Sequence, residues 1–491
     1  MRKKAGLAGG ILLTLYICIL FPALSFYMPD GYRELGNARF ETYRMVSLLF
    51  FVPLLACAGY ILWTDLRRSH APEESEGQQS RALPALNKSI FLPADAFAFL
   101  YALSLSISYI LTDYPEEAFW GTTGWRTGLC TELLFLSYYG FARLFPIRKR
   151  ITGVVLYLCA AAVLLIAVAD RAGLAFLPFM GVDPSFVSTI GNVDWYCSYL
   201  AVVFGAAAGA LLYYFTTLRK RTDTGGPKAG TGRSAGRIPV FLLSILLLLA
   251  VFSVFTQGAQ AGVLIPAGAG LSALYLVCVS GSRTVHAETG GYRRVGRRIF
   301  GFLLIVFFLV LILLPAVFCD TGETRLLPAD GIQRSLALFP LREDFGNGRG
   351  RIWRVSWELW RELPWKSRLF GIGPDAFAAY AYGSPRISYL LYSAFGAVRL
   401  TNTHSEWFTV LIDEGLFSLI FWAGFLLSSF AALIRRCGRR ADALTLSAIF
   451  VMVTLSAVQA VSFRTITAEP FLFLLIGAAL REPHNESEEA R

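Results

Sequence analysis

Histidine is scarce in this 491-residue chain. Of the four present, His404 lies in "LTNTHSEWFTVLIDEGL" (400–416), where a polar stretch gives way to an apolar run. Neutral imidazole takes up a proton near neutral pH, so a general base acting on a hydroxyl is the chemistry His404 suits. The other reading is an ordinary polar loop histidine. Zinc would require further ligands at metal spacing, and neither H-x-x-H nor H-E-x-x-H accompanies it. Arginine is plentiful nearby: ten lie between 319 and 407, densest in "GNGRGRIWR" (346–354), which holds Arg349 and Arg351. Another, Arg126, sits in "EEAFWGTTGWRTG". Guanidinium binds phosphate bidentately and keeps its charge, which suits a site that stabilises a departing diphosphate. Surface pairing and lipid-headgroup contact account for most such arginines. Asp413 and Glu414 would orient His404 only if the chain bends. On a continuous helix Asp413 falls on the opposite side and Glu414 about 80° away.

The elements that must position these residues are membrane helices. Hydrophobic residues make up 55% of the chain and charged ones 16%, the balance of an all-α polytopic membrane protein. Apolar runs long enough to span a bilayer number about twelve. Residues 1–318 hold nine of them, 408–480 the last three, and 481–491 form a tail. The first run, Leu7 to Met28, follows Arg2, Lys3 and Lys4 without a clean cleavage site, so it reads as an uncleaved anchor. The large hydrophilic segment, 319–407, contains "RIWRVSWELWREL" (351–363), with Trp353, Trp357 and Trp360 on one helical face and Pro364 as its stop. That amphipathic helix either packs its tryptophans on the bundle or headgroup layer, or offers them to sugar.

Basic clusters set the orientation. "RR" (67–68), "RKR" (148–150), "RKR" (219–221), "RRVGRR" (293–298) and "RRCGRR" (435–440) fall in alternate loops, which places those loops, and both termini, in the cytoplasm. Segment 319–407 is then extracytoplasmic. The net charge of +11 is a topology signal; no basic soluble domain exists to bind nucleic acid. Eight cysteines are scattered without a C-x-x-C pair, so neither a disulfide framework nor a metal site is expected. "GTGRSAG" (230–236) lacks the strand that a phosphate loop requires.

Four segments in order resemble the O-antigen ligase and polymerase superfamily of bacterial membrane glycosyltransferases. "GTTGWRTGL" (121–129) is similar to its arginine-bearing outer loop and "GNVDWYCSYL" (191–200) to its G-N-P-N-x-x-x-x-Y-L element. "GNGRGRIWRVSWELW" with "LFGIGPDAF" (346–377) resembles its loop segment, and "THSEWFTVLIDEGLFSL" (403–419) its histidine motif. The resemblance implies a transferase whose donor is a glycan on undecaprenyl diphosphate, working on the outer face without metal or nucleotide cofactor. It implies catalytic roles for His404, Arg349 and Arg126. Arg351, Asp194, Gln260 and Glu414 are expected to bind substrate. Asp194 stands where the family has a second asparagine, with a helix N-cap as its alternative role. Only Gln257 and Gln260 stand in "TQGAQAG" (256–262), where the family often has a charged residue. The expected partners are the lipid-linked oligosaccharide donor, a glycan, lipid or protein acceptor, and membrane lipid, with no nucleic acid. A transporter or flippase for lipid-linked saccharides is the alternative reading; no inverted repeat is evident.

Overall fold

The structure is a computed structural model that describes residues 2–69, 91–174, 188–223, 232–256, 262, 264–280, 345–439 and 441–481. Every regular element among these residues is helical. Six helices are long and apolar enough to cross a membrane: Arg2–Phe26, Leu35–Arg67, Pro93–Ile110, Lys149–Asp170, Val193–Phe215 and Glu406–Gly438. The protein is therefore a helical membrane protein. Helices occupy the other expected runs too, save Ile299 to Phe318, which lies outside the described residues. Several of these are short. The last one, Glu469–Leu480, has 12 residues, about 18 Å of rise against the ~30 Å of a hydrocarbon core. It is reached through a non-helical link, 460–468. Irregular backbone at membrane depth is tolerated where protein surrounds it, and nearly all of 460–480 is buried. Twelve full spans are thus more than the described residues provide.

The helix Val193–Asp223 lies closely against Ala443–Gln459. Gly205 and Gly209 allow it: a Cβ on Gly209 would stand 2.5 Å from the Ser447 nitrogen, and one on Gly205 2.8 Å from that of Val451. The close approach lets Thr454 Oγ1 donate to the Ala201 carbonyl at 2.8 Å and Ser447 Oγ to that of Ala206 at 2.8 Å. Small residues and cross-helix hydroxyl bonds are the usual glue where no hydrophobic effect drives helices together.

In the hydrophilic segment, 319–344 lies outside the described residues. The remainder folds into helices Phe345–Glu362, Trp365–Phe370, Phe377–Gly383 and Pro385–Phe395. The tryptophan face of the first turns inward. Trp353 is fully buried, while Trp357 stacks on Trp360 at 5.0 Å and meets Phe408 edge-on at 6.5 Å. This face packs on the bundle, the first of the two arrangements open from the sequence. It carries Arg349 on its opening turns, next to the helix that begins at Glu406.

Candidate active site

Asp194 joins two of the expected residues. Its Oδ1 accepts from Arg349 Nη2 at 2.7 Å, and its Oδ2 lies 3.9 Å from His404 Nδ1. All three side chains are at most about a quarter exposed. Asp194 is free for this because Asn192 caps the helix instead: Asn192 Oδ1 accepts from the backbone N–H groups of Asp194 at 2.8 Å and Trp195 at 3.3 Å. The N-cap alternative therefore belongs to Asn192, two positions earlier. The turn ahead of it is held by buried Arg39, which donates to the carbonyls of Thr189 and, at 3.0 Å, Ile190.

His404 sits in left-handed backbone, φ 51°, a conformation that costs energy outside glycine and collects at functional positions. Its N–H donates to Asn402 Oδ1 at 3.0 Å, and its ring meets Phe463 at 5.5 Å. Burial lowers its pKa to about 4, with the Arg349 charge adding to that depression and Asp194 opposing it. Near neutral pH the imidazole is consequently neutral and able to accept a proton.

Arg126 belongs to another set of contacts. Its Nε donates to Asn37 Oδ1 at 3.0 Å, its Nη1 to the Gly121 carbonyl at 3.3 Å, and its guanidinium lies 5.6 Å from the Phe40 ring. The adjacent Trp125 stands edge-on to Phe463 at 4.4 Å and Trp195 at 5.6 Å. Arg351 donates to the Ala394 carbonyl at 3.0 Å. Gln260 lies outside the described residues.

Glu414 is buried in a second cluster. The helix from Glu406 is interrupted by a π-turn at Val410–Glu414, so the chain does bend, but it turns Glu414 toward Arg464 rather than His404. Arg464 Nη1 lies 2.8 Å from Glu132 Oε2 and 3.5 Å from Glu414 Oε1, and Nε 3.1 Å from Glu406 Oε1. Tyr101 OH accepts from Arg464 at 2.6 Å and donates to Glu414 at 2.8 Å; the guanidinium lies 4.3 Å from the Trp422 ring. A narrow cavity beside it is lined in part by Trp125, Asp375, Asn402, Glu406, Phe463 and Arg464. Phe463 is shared, one ring touching both the cavity and His404.

Arg464, Asp375 and Asn37 are functional-site neighbours that no motif in the sequence marks, and Glu406, close to His404 in sequence, turns to Arg464 instead. The surplus of acids near the outer level, Glu132, Asp413, Glu414 and Glu469, was the available signal for Arg464, because buried carboxylates require a cation. Asp375 carried no such signal. It is buried in the "GPDAF" turn, and burial raises its pKa to about 7 against the backbone hydrogen bonds that lower it.

No protein-family model matches this chain, and no curated protein matches it.

Proposed function

We propose that the protein transfers a glycan from an undecaprenyl-diphosphate-linked donor to an acceptor on the outer face of the bacterial cytoplasmic membrane. The observation that carries this reading is the line of groups Arg349, Asp194 and His404: a guanidinium paired with a carboxylate that also faces a buried imidazole. The ordered resemblance of four segments to the O-antigen ligase and polymerase superfamily supports it, as does the clustering of cytoplasmic loop charges.

In the mechanism, the His404 ring carries its proton on Nδ1, the nitrogen that faces Asp194, and leaves Nε2 as the acceptor. The 3.9 Å separation closes by a small ring or carboxylate movement when substrate binds, as catalytic hydrogen bonds often tighten only in the complex. Nε2 takes the proton of the acceptor hydroxyl while its oxygen attacks the anomeric carbon. The bond from that carbon to the diphosphate oxygen breaks, and the diphosphate leaves with the bonding pair, held by Arg349. Direct displacement inverts the anomeric centre. Bound diphosphate also offsets the Arg349 charge that weakens His404, so the base strengthens when the donor is in place.

The test is transfer by purified protein in liposomes given undecaprenyl-diphosphate-linked oligosaccharide and acceptor. Wild type transfers, and His404→Ala loses at least about 100-fold in rate with unchanged thermal stability. Passage of donor across the bilayer without transfer would instead establish the flippase.

A further inference from the structure

Residues 121–128 carry Trp125 and Arg126 yet form no helix. Gly121 (φ 82°), Gly124 (φ 95°) and Arg126 (φ 57°) all take left-handed backbone, which the surrounding structure must dictate at a non-glycine residue. Much of that dictation comes from Asp375. Its Oδ2 accepts from the N–H groups of Thr122 at 2.7 Å and Thr127 at 3.0 Å, and its carbonyl accepts from Thr122 Oγ1 at 2.9 Å. Asp375 is buried, 4% exposed, at φ 56°.

The segment bearing Asp375 is fastened in turn to the π-turn of the helix that starts two residues after His404. Ile372 N–H donates to the Ile412 carbonyl at 3.2 Å and Gly373 N–H to that of Asp413 at 2.8 Å. A Cβ on Gly371 would stand 2.2 Å from the Asp413 oxygen. Asp375 thus links the loop of Trp125 to the helix that follows the candidate base.

We infer that Asp375 is a positioning residue of the transfer site: its carboxylate locks loop 121–128 so that Trp125 seats against Phe463 and Trp195, the rings flanking His404 and Asp194. It takes no part in bond making. The inference rests on the transferase reading above for its functional half, while the tie itself stands on geometry.

Full-length protein in nanodiscs tests it with Asp375→Ala and Asp375→Asn. Asparagine keeps an oxygen acceptor for the two N–H groups; alanine keeps none. Amide hydrogen exchange at Thr122 and Thr127 is expected to speed up at least about tenfold in the alanine variant and to stay within about threefold of wild type in the asparagine variant. Transfer from undecaprenyl-diphosphate-linked oligosaccharide falls about 100-fold in Asp375→Ala and recovers in Asp375→Asn. Trp125→Ala added to Asp375→Ala costs little more than the worse single change, because both act through one loop.

Unchanged exchange in Asp375→Ala overturns the tie. Fast exchange with full transfer overturns the positioning role, as do additive losses. An inactive Asp375→Asn with protected amides also overturns it, since the charge would then act directly. If wild type transfers nothing, the transferase reading and the positioning role fail together, while exchange still decides whether the tie exists. Should Asp375→Ala not fold, Asp375→Ser, whose shorter side chain draws the oxygen away from the Thr122 and Thr127 N–H groups, carries the same comparison, with expected losses of about fivefold.

Discussion

At the scale of single residues, His404 is where burial and charge compete. Burial and Arg349 hold its pKa near 4 while Asp194 pulls it up. Under the proposed mechanism diphosphate offsets Arg349, so the acid limb of kcat, which reports the donor complex, is expected at higher pH than the limb of kcat/KM, which reports free protein near pH 4. Arg349→Gln is expected to move the kcat/KM limb to higher pH, because the charge that lowers the His404 pKa is gone; limbs in the reverse order would contradict the assignment. The same depression has a stability consequence. The unfolded chain binds a proton more readily than the folded one, so the contribution of neutral His404 is present above about pH 6.5 and is lost as pH falls through about 4. Replacing His404 with Gln removes that slope from a thermal-melt series. Here the histidine was legible in the sequence as an isolated base, but its partner was not. Asp194 lies more than two hundred positions upstream, and nothing in local spacing relates them.

Between elements, Arg464 ties three parts of the fold. It faces Glu132 of helix Leu129–Leu144 and both Glu406 and Glu414 of the interrupted helix, from the link between the last two helices. Removing a cation that pairs buried charges costs far more than forming the pair gains, because the remaining carboxylates keep their desolvation penalty. Arg464→Leu is therefore expected to destabilise the protein by about 3–5 kcal/mol, read as a large drop in melting temperature or loss of folded protein in detergent. A melting point within a degree or two of wild type would remove the cluster from any structural role. Packing between Val193–Asp223 and Ala443–Gln459 makes a separate demand. Gly209→Val drives side-chain carbon into the Leu446–Ser447 backbone and should cost about 1–3 kcal/mol, whereas the same change at Gly140, which has open space around it, should leave the melting temperature nearly unchanged. The spacing of Gly205 and Gly209 was readable in the sequence; which helix they would meet was not.

For the molecule as a whole, the orientation proposed from the loop charges is directly testable. In a background lacking reactive native thiols, Ala397→Cys is expected to react with a membrane-impermeant maleimide in intact cells. Arg67→Cys should react only after the membrane is opened. The opposite pattern would put the His404 side in the cytoplasm, where a lipid-linked donor waiting on the outer leaflet would be out of reach.

Composition and hydropathy alone determined that this is a helical membrane protein, because each span must satisfy its own backbone hydrogen bonds and announces itself as a continuous apolar run. The position of His404 beside an apolar run was equally local. Only the tertiary structure decided the pairings: Asp194 with Arg349 and His404, Glu414 with Arg464 rather than the histidine, Arg126 turned to Asn37, and Asp375 tied to Thr122 and Thr127. The physical reason is that hydrogen bonds and ion pairs between distant segments depend on helix packing and on irregular turns, such as the π-turn at 410–414, for which hydrophobic periodicity carries no record.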